Sequence, residues 1–218
     1  MHRANNTLIL FTKTPQICRV KTRMQPELSH RECLYLHKKL TAHAISQFKS
    51  SNKFKLVIYA THVDNARHIY PRTLCIKQQS GLDIGLRMHN AIKQEIKHTQ
   101  RVVLIGSDCL TLDVNYVCSA FNHLSKLNDI VLGPTIDGGY ALIGMKNQNA
   151  FLFDSIPWGT SEVLDKTLES GHKHGCRIQT LEKISDLDTI EDLDPLIKLN
   201  TLPEWAVSLV RNRAISFN

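Results

Sequence analysis

The chain has 218 residues, of which 42% are hydrophobic and 22% charged; that length suits one domain with a sizeable core, and the composition is that of a soluble globular protein. No apolar run approaches the roughly 18 residues a membrane span needs, and MHRANNTLILFTKTP has too short an apolar part, and no small-residue cleavage site, for a signal peptide, so a cytoplasmic protein is expected. The net charge of +7 favours anionic partners, yet Lys and Arg are dispersed, without the basic runs or interleaved aromatics of a nucleic-acid binder.

In chain order, TLILFT (7–12) reads as a strand. ELSHRECLYLHKKLTAHAISQFK follows, with Leu36, Leu40, Ala44 and Phe48 spaced along one helical face. KLVIYA (55–60) is a second strand and TLCIKQ (73–78) a weaker third. DIGLRMHNAIKQEIKH is helical, RVVLIGS (101–107) is a fourth strand, and VNYVCSAFNHLSK is an amphipathic helix. DIVLGP (129–134) and YALIGM (140–145) are strands on either side of an Asp-Gly-Gly turn. SEVLDKTLESGHK is helical, CRIQTLE (176–182) is a strand, and two helices end the chain near 189–199 and 203–212.

Strands alternating with helices imply a largely parallel sheet with helices on both faces, a three-layer α/β/α architecture in one domain spanning 1–218. The central strands are continuously apolar, as strands buried on both sides are. Ligands of such folds bind beyond the carboxyl ends of the strands, so the residues following each strand are the candidates for a site. Six cysteines show no CxxC pair and no zinc-like spacing with histidine, so reduced thiols are expected.

Lys13, Arg19, Lys21 and Arg23 lie within a short loop after the first strand, where Pro15 prevents an early helix. Such a loop suits phosphate groups through charge-assisted contacts, or is a solvated basic turn. It lacks the glycines and the GK[ST] ending of a Walker A loop. Asp108 falls at the carboxyl end of the fourth strand, where a carboxylate is a hard-oxygen ligand for Mg²⁺ or Mn²⁺, while Asp113 is placed to cap the next helix. Near the end, Asp186, Asp188 and Thr189 read either as ordinary helix-start chemistry or, for Asp188, as a second carboxylate beside Asp108. The segment GPTIDGGYALIGM (133–145) leaves two readings open: a hairpin turn, for which glycine supplies positive φ, or a ligand site in which the glycines clear space and Asp137 binds a hydroxyl or a metal.

FTKTPQICRVKTRM, QQSGLDIGLRMHNA, GSDCLTLD, VLGPTIDGGYALIGM, IPWGTSEVLDKTL and DLDTIEDL occur in this order. The set resembles a family of small bacterial proteins with the GT-A type nucleotide-diphospho-sugar transferase fold, whose members are described as glycosyltransferases, some in arsenosugar biosynthesis. It is more distantly similar to molybdenum cofactor and phospholactate guanylyltransferases. The resemblance implies that Lys13, Arg19, Lys21 and Arg23 contact phosphates and that Gly81 to Arg87 lie near the nucleotide. It implies Asp108 and Asp188 as ligands of Mg²⁺ or Mn²⁺, and Asp137, Gly138, Gly139 and Tyr140 as lining for a sugar or acceptor pocket, with Asp137 in the catalytic role. Trp158 and Thr160 are acceptor-side candidates; Trp158 either stacks on a sugar face or packs as core. The sequence departs from the family pattern at Cys18, where glycine is usual, at Leu110, where proline is usual, and at Gly159, where a hydroxyl residue is more frequent. The implied activity is metal-dependent glycosyl transfer from a nucleotide sugar to a small-molecule acceptor. Nucleotidyl transfer to a phosphorylated acceptor and a catalytically silent nucleotide-binding module are the alternatives.

Overall fold

A computed structural model describes residues 4–192 apart from Pro26 and Lys126, together with Trp205. Its sheet grows from the apolar runs. The strands β1 (Ala4–Thr12), β2 (Lys55–Ala60), β3 (Cys75–Gln78), β4 (Thr99–Gly106), β5 (Ile130–Pro134), β6 (Tyr140–Met145) and β7 (Ile178–Thr180) form one sheet in the order β3-β2-β1-β4-β6-β5-β7. Every neighbouring pair is parallel except those of β6, which runs antiparallel to both β4 and β5. The mostly parallel three-layer fold read from the sequence is therefore the fold of the protein.

Strand side chains alternate between faces, and the alternation divides the core in two. Leu8, Leu10, Ile58, Val103 and Ile105 point to one face, where α1 (His30–Phe48), α2 (Val63–Ile69) and α4 (Val114–Ser125) cover them. Ile9, Val57, Val102, Leu104 and Ile143 point to the other, under α3 (Ile84–Ile96) and α5 (Val163–Lys173). Ile9 and Ile58 are both 0% exposed; truncating either to alanine would cost about 2–5 kcal/mol through lost burial and the cavity left behind. A third, smaller cluster of Met24, Leu28, Cys33, Leu36, Leu40, Leu110 and Leu187 lies at the carboxyl ends of β1 and β4 and fixes the loops there. Leu110, the departure from proline, fills part of this cluster.

The helix ends have local causes. Ser29 accepts from the Glu32 amide and the Glu32 carboxylate accepts from the Ser29 amide, a reciprocal cap that starts α1. Asp83 Oδ1 accepts from Leu86 N at 2.8 Å and starts α3. Asp113 Oδ1 accepts from Tyr116 N at 2.8 Å, the capping role read from the sequence. One helix goes unread there: α2 has seven residues and buries only Ala66, so no apolar period announces it. Ala66 anchors it in the core, and Asp64 in the first turn with Arg67 in the last complements its dipole. The two helices placed near 189–199 and 203–212 lie almost wholly outside the described residues. Among the described residues no helix is long and apolar enough to cross a membrane.

Connections leave β1 toward β2 and β3 on one side and reach β4 on the other. A doubly wound sheet opens a crevice at this reversal, beyond the carboxyl ends of the two strands. Thr12 Oγ1, at the end of β1, and Ser107 Oγ, just past β4, are 3.1 Å apart and join its two walls.

Candidate functional site

The crevice holds a cavity of about 550 Å³, continuous through Lys13, Thr61, Gln79 and Arg87 with a second of about 520 Å³. The loop after β1 forms one wall. It carries the cations and is backbone-strained: Cys18 has φ 62° and Lys21 φ 51°. Neither residue is glycine, so each costs about 1–2 kcal/mol in the left-handed region. The cost is sustained by packing on either side, where Val20 is 1% exposed and Met24 0%. Cys18 thus has the conformation that suits the usual glycine of this loop.

The four cations of the loop separate. Lys13 lines both cavities and Arg19 the second only. Lys21 turns inward. Its Nζ lies 2.8 Å from Asp108 Oδ2 and 3.7 Å from Asp188 Oδ1, and it donates to the Leu187 carbonyl. Its side chain is 2% exposed. The phosphate contact read for Lys21 therefore competes with a carboxylate pair it already holds. Arg23 Nη1 donates to Asp188 Oδ2 at 3.0 Å, and Arg23 Nη2 reaches the Gly159 carbonyl at 3.5 Å. Gly159 has φ 85°, so the departure from a hydroxyl residue puts glycine where positive φ favours it.

The opposite wall follows β3. Gly81, at φ 142°, presents its carbonyl to Arg87 Nε at 2.9 Å. A Cβ at Gly81 would lie 2.8 Å from Arg87 N, so the turn closes onto the start of α3 only with glycine. Gln79 Nε2 donates to the carbonyls of Thr12 at 2.8 Å and Tyr59 at 2.9 Å, tying the ends of β1 and β2 together.

Asp108 follows β4. Its Oδ1 accepts from Ser107 Oγ at 3.2 Å. Burial pushes its pKa up, but Lys21 and His37 with the hydrogen bonds from Lys21 and Ser107 outweigh this and hold the carboxyl below its ordinary range. The backbone of 186–188 is tied to it, since Leu187 N donates to Asp108 O at 3.0 Å. Leu187 itself is fully buried, which turns Asp186 and Asp188 toward the cavity. Burial, reinforced by the charges of Asp137, Asp188 and Asp192, raises Asp186 to about 6. His37, on α1, also faces the cavity; its ring nitrogen Nε2 is 2.8 Å from the Lys13 carbonyl, and burial lowers its pKa.

The Asp-Gly-Gly segment serves as a turn, 135–139, between β5 and β6. Thr135 N donates to Gly139 O at 3.0 Å, and Asp137 Oδ1 accepts from Thr135 Oγ1 at 2.5 Å and Gly139 N at 3.1 Å. Asp137 Oδ2 has no donor among the described residues, and the side chain lines the cavity beside Gly139 and Tyr140. Gly138 does not line it. A Cβ there would stand 2.2 Å from the Ser161 carbonyl oxygen, and φ is 89°. The ligand contact read for Gly138 gives way to a close backbone approach to the loop before α5.

Trp158 packs closely against α3: a Cβ at Gly85 would be 2.5 Å from the indole nitrogen. Phe153 stacks on it at 6.4 Å and Tyr140 meets it edge-on at 6.3 Å, so the indole belongs to the core and still lines the cavity. Thr160 also lines it, with Oγ1 donating to the Pro157 carbonyl at 2.9 Å.

The cleft is divided in charge. The second cavity has Lys13, Arg19, Arg87 and His62 and no carboxylate. The first shares Lys13 and Arg87 with it and adds Lys21 and Arg23, but sets four carboxylates against them: Asp108 and Asp188, both cation-bound, and Asp137 and Asp186, neither in an ion pair among the described residues. Among the described residues no three His, Cys, Asp or Glu side chains converge as a closed metal centre. A Mg²⁺ or Mn²⁺ needs only one or two protein carboxylates when substrate phosphates complete its shell; Asp108 and Asp188 are the residues that could hold one, with Lys21 now between them and Arg23 on Asp188. The sequence reading passes over His37, Gln79 and the cavity-facing role of Asp186.

No curated protein matches the chain. Solved structures do. A candidate nucleotide-diphospho-sugar transferase from Desulfovibrio desulfuricans G20 superposes with a TM-score of 0.86 at 26% identity, over 97% of this chain and 96% of that one. The inositol-1-phosphate CTP transferase from T. maritima gives 0.58 at 11% identity, over 91% and 96%. Rv0371c from Mycobacterium tuberculosis H37Rv, in complex with manganese, gives 0.55 at 10% identity, over 89% and 99%. These likenesses establish the nucleotide-diphospho-sugar transferase fold. Residues 44–160, more than half of the chain, match the model of a family described as uncharacterised proteins conserved in bacteria, DUF2064, and the chain belongs to that family.

Proposed function

We propose that the protein is a metal-dependent glycosyltransferase that takes a nucleotide sugar as donor and a small hydroxyl-bearing molecule as acceptor. The observation that carries this reading is the charge division of the cleft at the point where strand order reverses. Lys13, Arg19 and Arg87 bind the diphosphate through charge-assisted hydrogen bonds and hold the negative charge that gathers on it as the sugar leaves. Asp108 and Asp188 would hold Mg²⁺ or Mn²⁺, which supplies further neutralisation of that diphosphate. Asp137, anchored by Thr135 and Gly139, presents Oδ2 to the acceptor hydroxyl, orients it and takes its proton. Trp158, clamped by Gly85 and Phe153, offers an aromatic edge to the sugar. The candidate sugar transferase and the manganese-bound protein among the fold relatives support the donor class and the ion.

A second reading, nucleotidyl transfer to a phosphorylated acceptor, is favoured by the CTP transferase among those relatives. Calorimetric titration of UDP, GDP, their sugars, UTP, GTP and CTP, each with Mn²⁺, separates the two. Glycosyl transfer requires tighter binding of a diphosphate or nucleotide sugar. A preference for one triphosphate, with pyrophosphate competing, would assign the protein to nucleotidyl transfer.

A further inference from the structure

Lys21 is built into the protein where the proposed metal belongs. Its ammonium lies between Asp108 and Asp188, at 2.8 and 3.7 Å, and donates to the carbonyl of Leu187, whose amide ties the Asp188 segment to Asp108. The backbone from which it springs is fixed. Lys21 O accepts from Met24 N at 3.1 Å and from Cys33 Sγ at 3.4 Å, and Val20 and Met24 are buried on either side. Only the four-carbon side chain can move, and Lys21, Lys13 and Arg23 line the same cavity.

We propose that Lys21 and the divalent ion occupy the Asp108–Asp188 pair alternately, and that the diphosphate of the donor makes the exchange possible. This rests on the reading of Asp108 and Asp188 as metal ligands. Arg23 already shares Asp188 with Lys21, so a divalent ion added beside both would be a third cation on one carboxylate pair and would meet strong mutual repulsion. In the ligand-free protein a divalent ion must expel the ammonium from two carboxylates toward the single carboxylates that remain in the cavity, Asp137 and Asp186, each with less negative charge to offer than the pair it leaves. A bound diphosphate makes up that charge: the ammonium swings onto the phosphate oxygens as the ion takes the carboxylates. Ion and diphosphate therefore bind with positive coupling, and each raises the affinity of the other by the same factor. The function of Lys21 is then twofold. It keeps the carboxylate pair assembled in the empty enzyme, and it prevents loading by metal without donor.

Mn²⁺ binding to the intact protein, followed by water-proton relaxation, tests the exchange without any turnover. Mn²⁺ should bind the parent weakly, and about tenfold or more tightly when UDP or GDP is present. Lys21→Met should bind Mn²⁺ by itself with the tighter affinity, and its melting temperature should rise with Mn²⁺ while the parent's barely moves. Adding Asp108→Asn to Lys21→Met should abolish both effects. The proposal is overturned if the parent binds Mn²⁺ equally with and without the diphosphates, or if folded Lys21→Met gains no affinity. Should Lys21→Met not fold, the parent titrations alone decide. A parent that binds UDP or GDP but no Mn²⁺ overturns the exchange and the metal reading while leaving the nucleotide reading intact. A parent that binds neither overturns the functional reading itself.

Discussion

The ammonium of Lys21 and the carboxylate of Asp108 are 2.8 Å apart, the first with a side chain 2% exposed and the second with one 37% exposed. An ion pair with one buried and one cleft-facing partner is worth more intact than broken, because removing either member leaves the other charge poorly compensated. Asp108→Asn leaves the ammonium with Asp188 at 3.7 Å and one carbonyl. Lys21→Met leaves two carboxylates, with Arg23 on Asp188 as the ion pair that remains among the described residues. Each single variant should lose about 1–3 kcal/mol, and the double variant should lose about 1–2 kcal/mol less than their sum, since the cleft screens the open side. Urea unfolding of the four proteins measures the coupling. Strict additivity, within about 0.3 kcal/mol, would show that the pair contributes nothing to the fold.

Asp186 makes a prediction of the opposite kind. Its pKa is raised to about 6 by burial and by the carboxylates around it, whereas in the unfolded chain it titrates near 4. The folded protein therefore binds the proton more tightly than the unfolded one. The stabilisation is fully present below about pH 4 and is lost as pH rises through about 6, beyond which the ionised side chain is a cost. Asp186→Asn removes that cost. In chelator-containing buffer the variant should exceed the parent by about 1–2 kcal/mol at about pH 8, after allowance for water in the cleft, and the advantage should vanish near pH 4. An advantage independent of pH would trace the effect to packing instead.

Gly138 and Gly139 are adjacent yet answer to different surroundings. A side chain at Gly138 meets the Ser161 carbonyl at 2.2 Å from a backbone with φ 89°. One at Gly139 meets Thr135 Oγ1 at 3.1 Å and Asp137 Oδ1 at 3.3 Å, on the cavity side of the turn. Gly138→Ala should thus cost about 2–4 kcal/mol in stability, through strain and displacement of the loop before α5. Gly139→Val should leave most of the stability and weaken nucleotide-sugar binding about tenfold by disturbing Asp137. Asn147→Ala, beyond the end of β6, is the control for both. Melting curves and titration of the three variants give the answer; equal binding by Gly139→Val and the control would reduce the segment to a plain turn.

Much of this was legible in the sequence, for reasons that differ by residue. The continuous apolar runs of β1, β2 and β4 can be read because burial on both faces leaves no polar position in them. Asp113 can be read because its helix begins immediately after it. The short α2 cannot, since it presents one buried residue and no period. Asp186 was within reach: with Leu187 buried, side chains of 186 and 188 fall on the same side, and the Asp-Leu-Asp pattern spells that alternation. His37 also left a signal, a polar residue on the helical face of Cys33, Leu36 and Leu40. Lys21 left none. A count of cations in its loop registers the charge, but the turn of its side chain toward Asp108 follows from β1 lying beside β4, which is a property of the sheet.

Arg87 is where the turn after β3 and the proposed phosphate site meet. Its Nε is committed to the Gly81 carbonyl at 2.9 Å, so the rest of the guanidinium is held in a fixed plane on the boundary of the two cavities. A lysine keeps the charge but has no planar fork and no way to hold Gly81 while facing a phosphate. If Arg87 binds the diphosphate in that fixed plane, Arg87→Lys should lose nearly as much affinity as Arg87→Ala, about tenfold for each with UDP or GDP. A general contribution to the positive field predicts otherwise, with Arg87→Lys binding as the parent does and only Arg87→Ala impaired. Repeating the titrations at two salt concentrations sharpens the contrast, because field effects fade within a Debye length whereas direct, partly buried contacts are screened much less. Arg87→Lys retaining parental affinity at both concentrations would remove Arg87 from the site and leave Lys13 and Arg19 to hold the diphosphate.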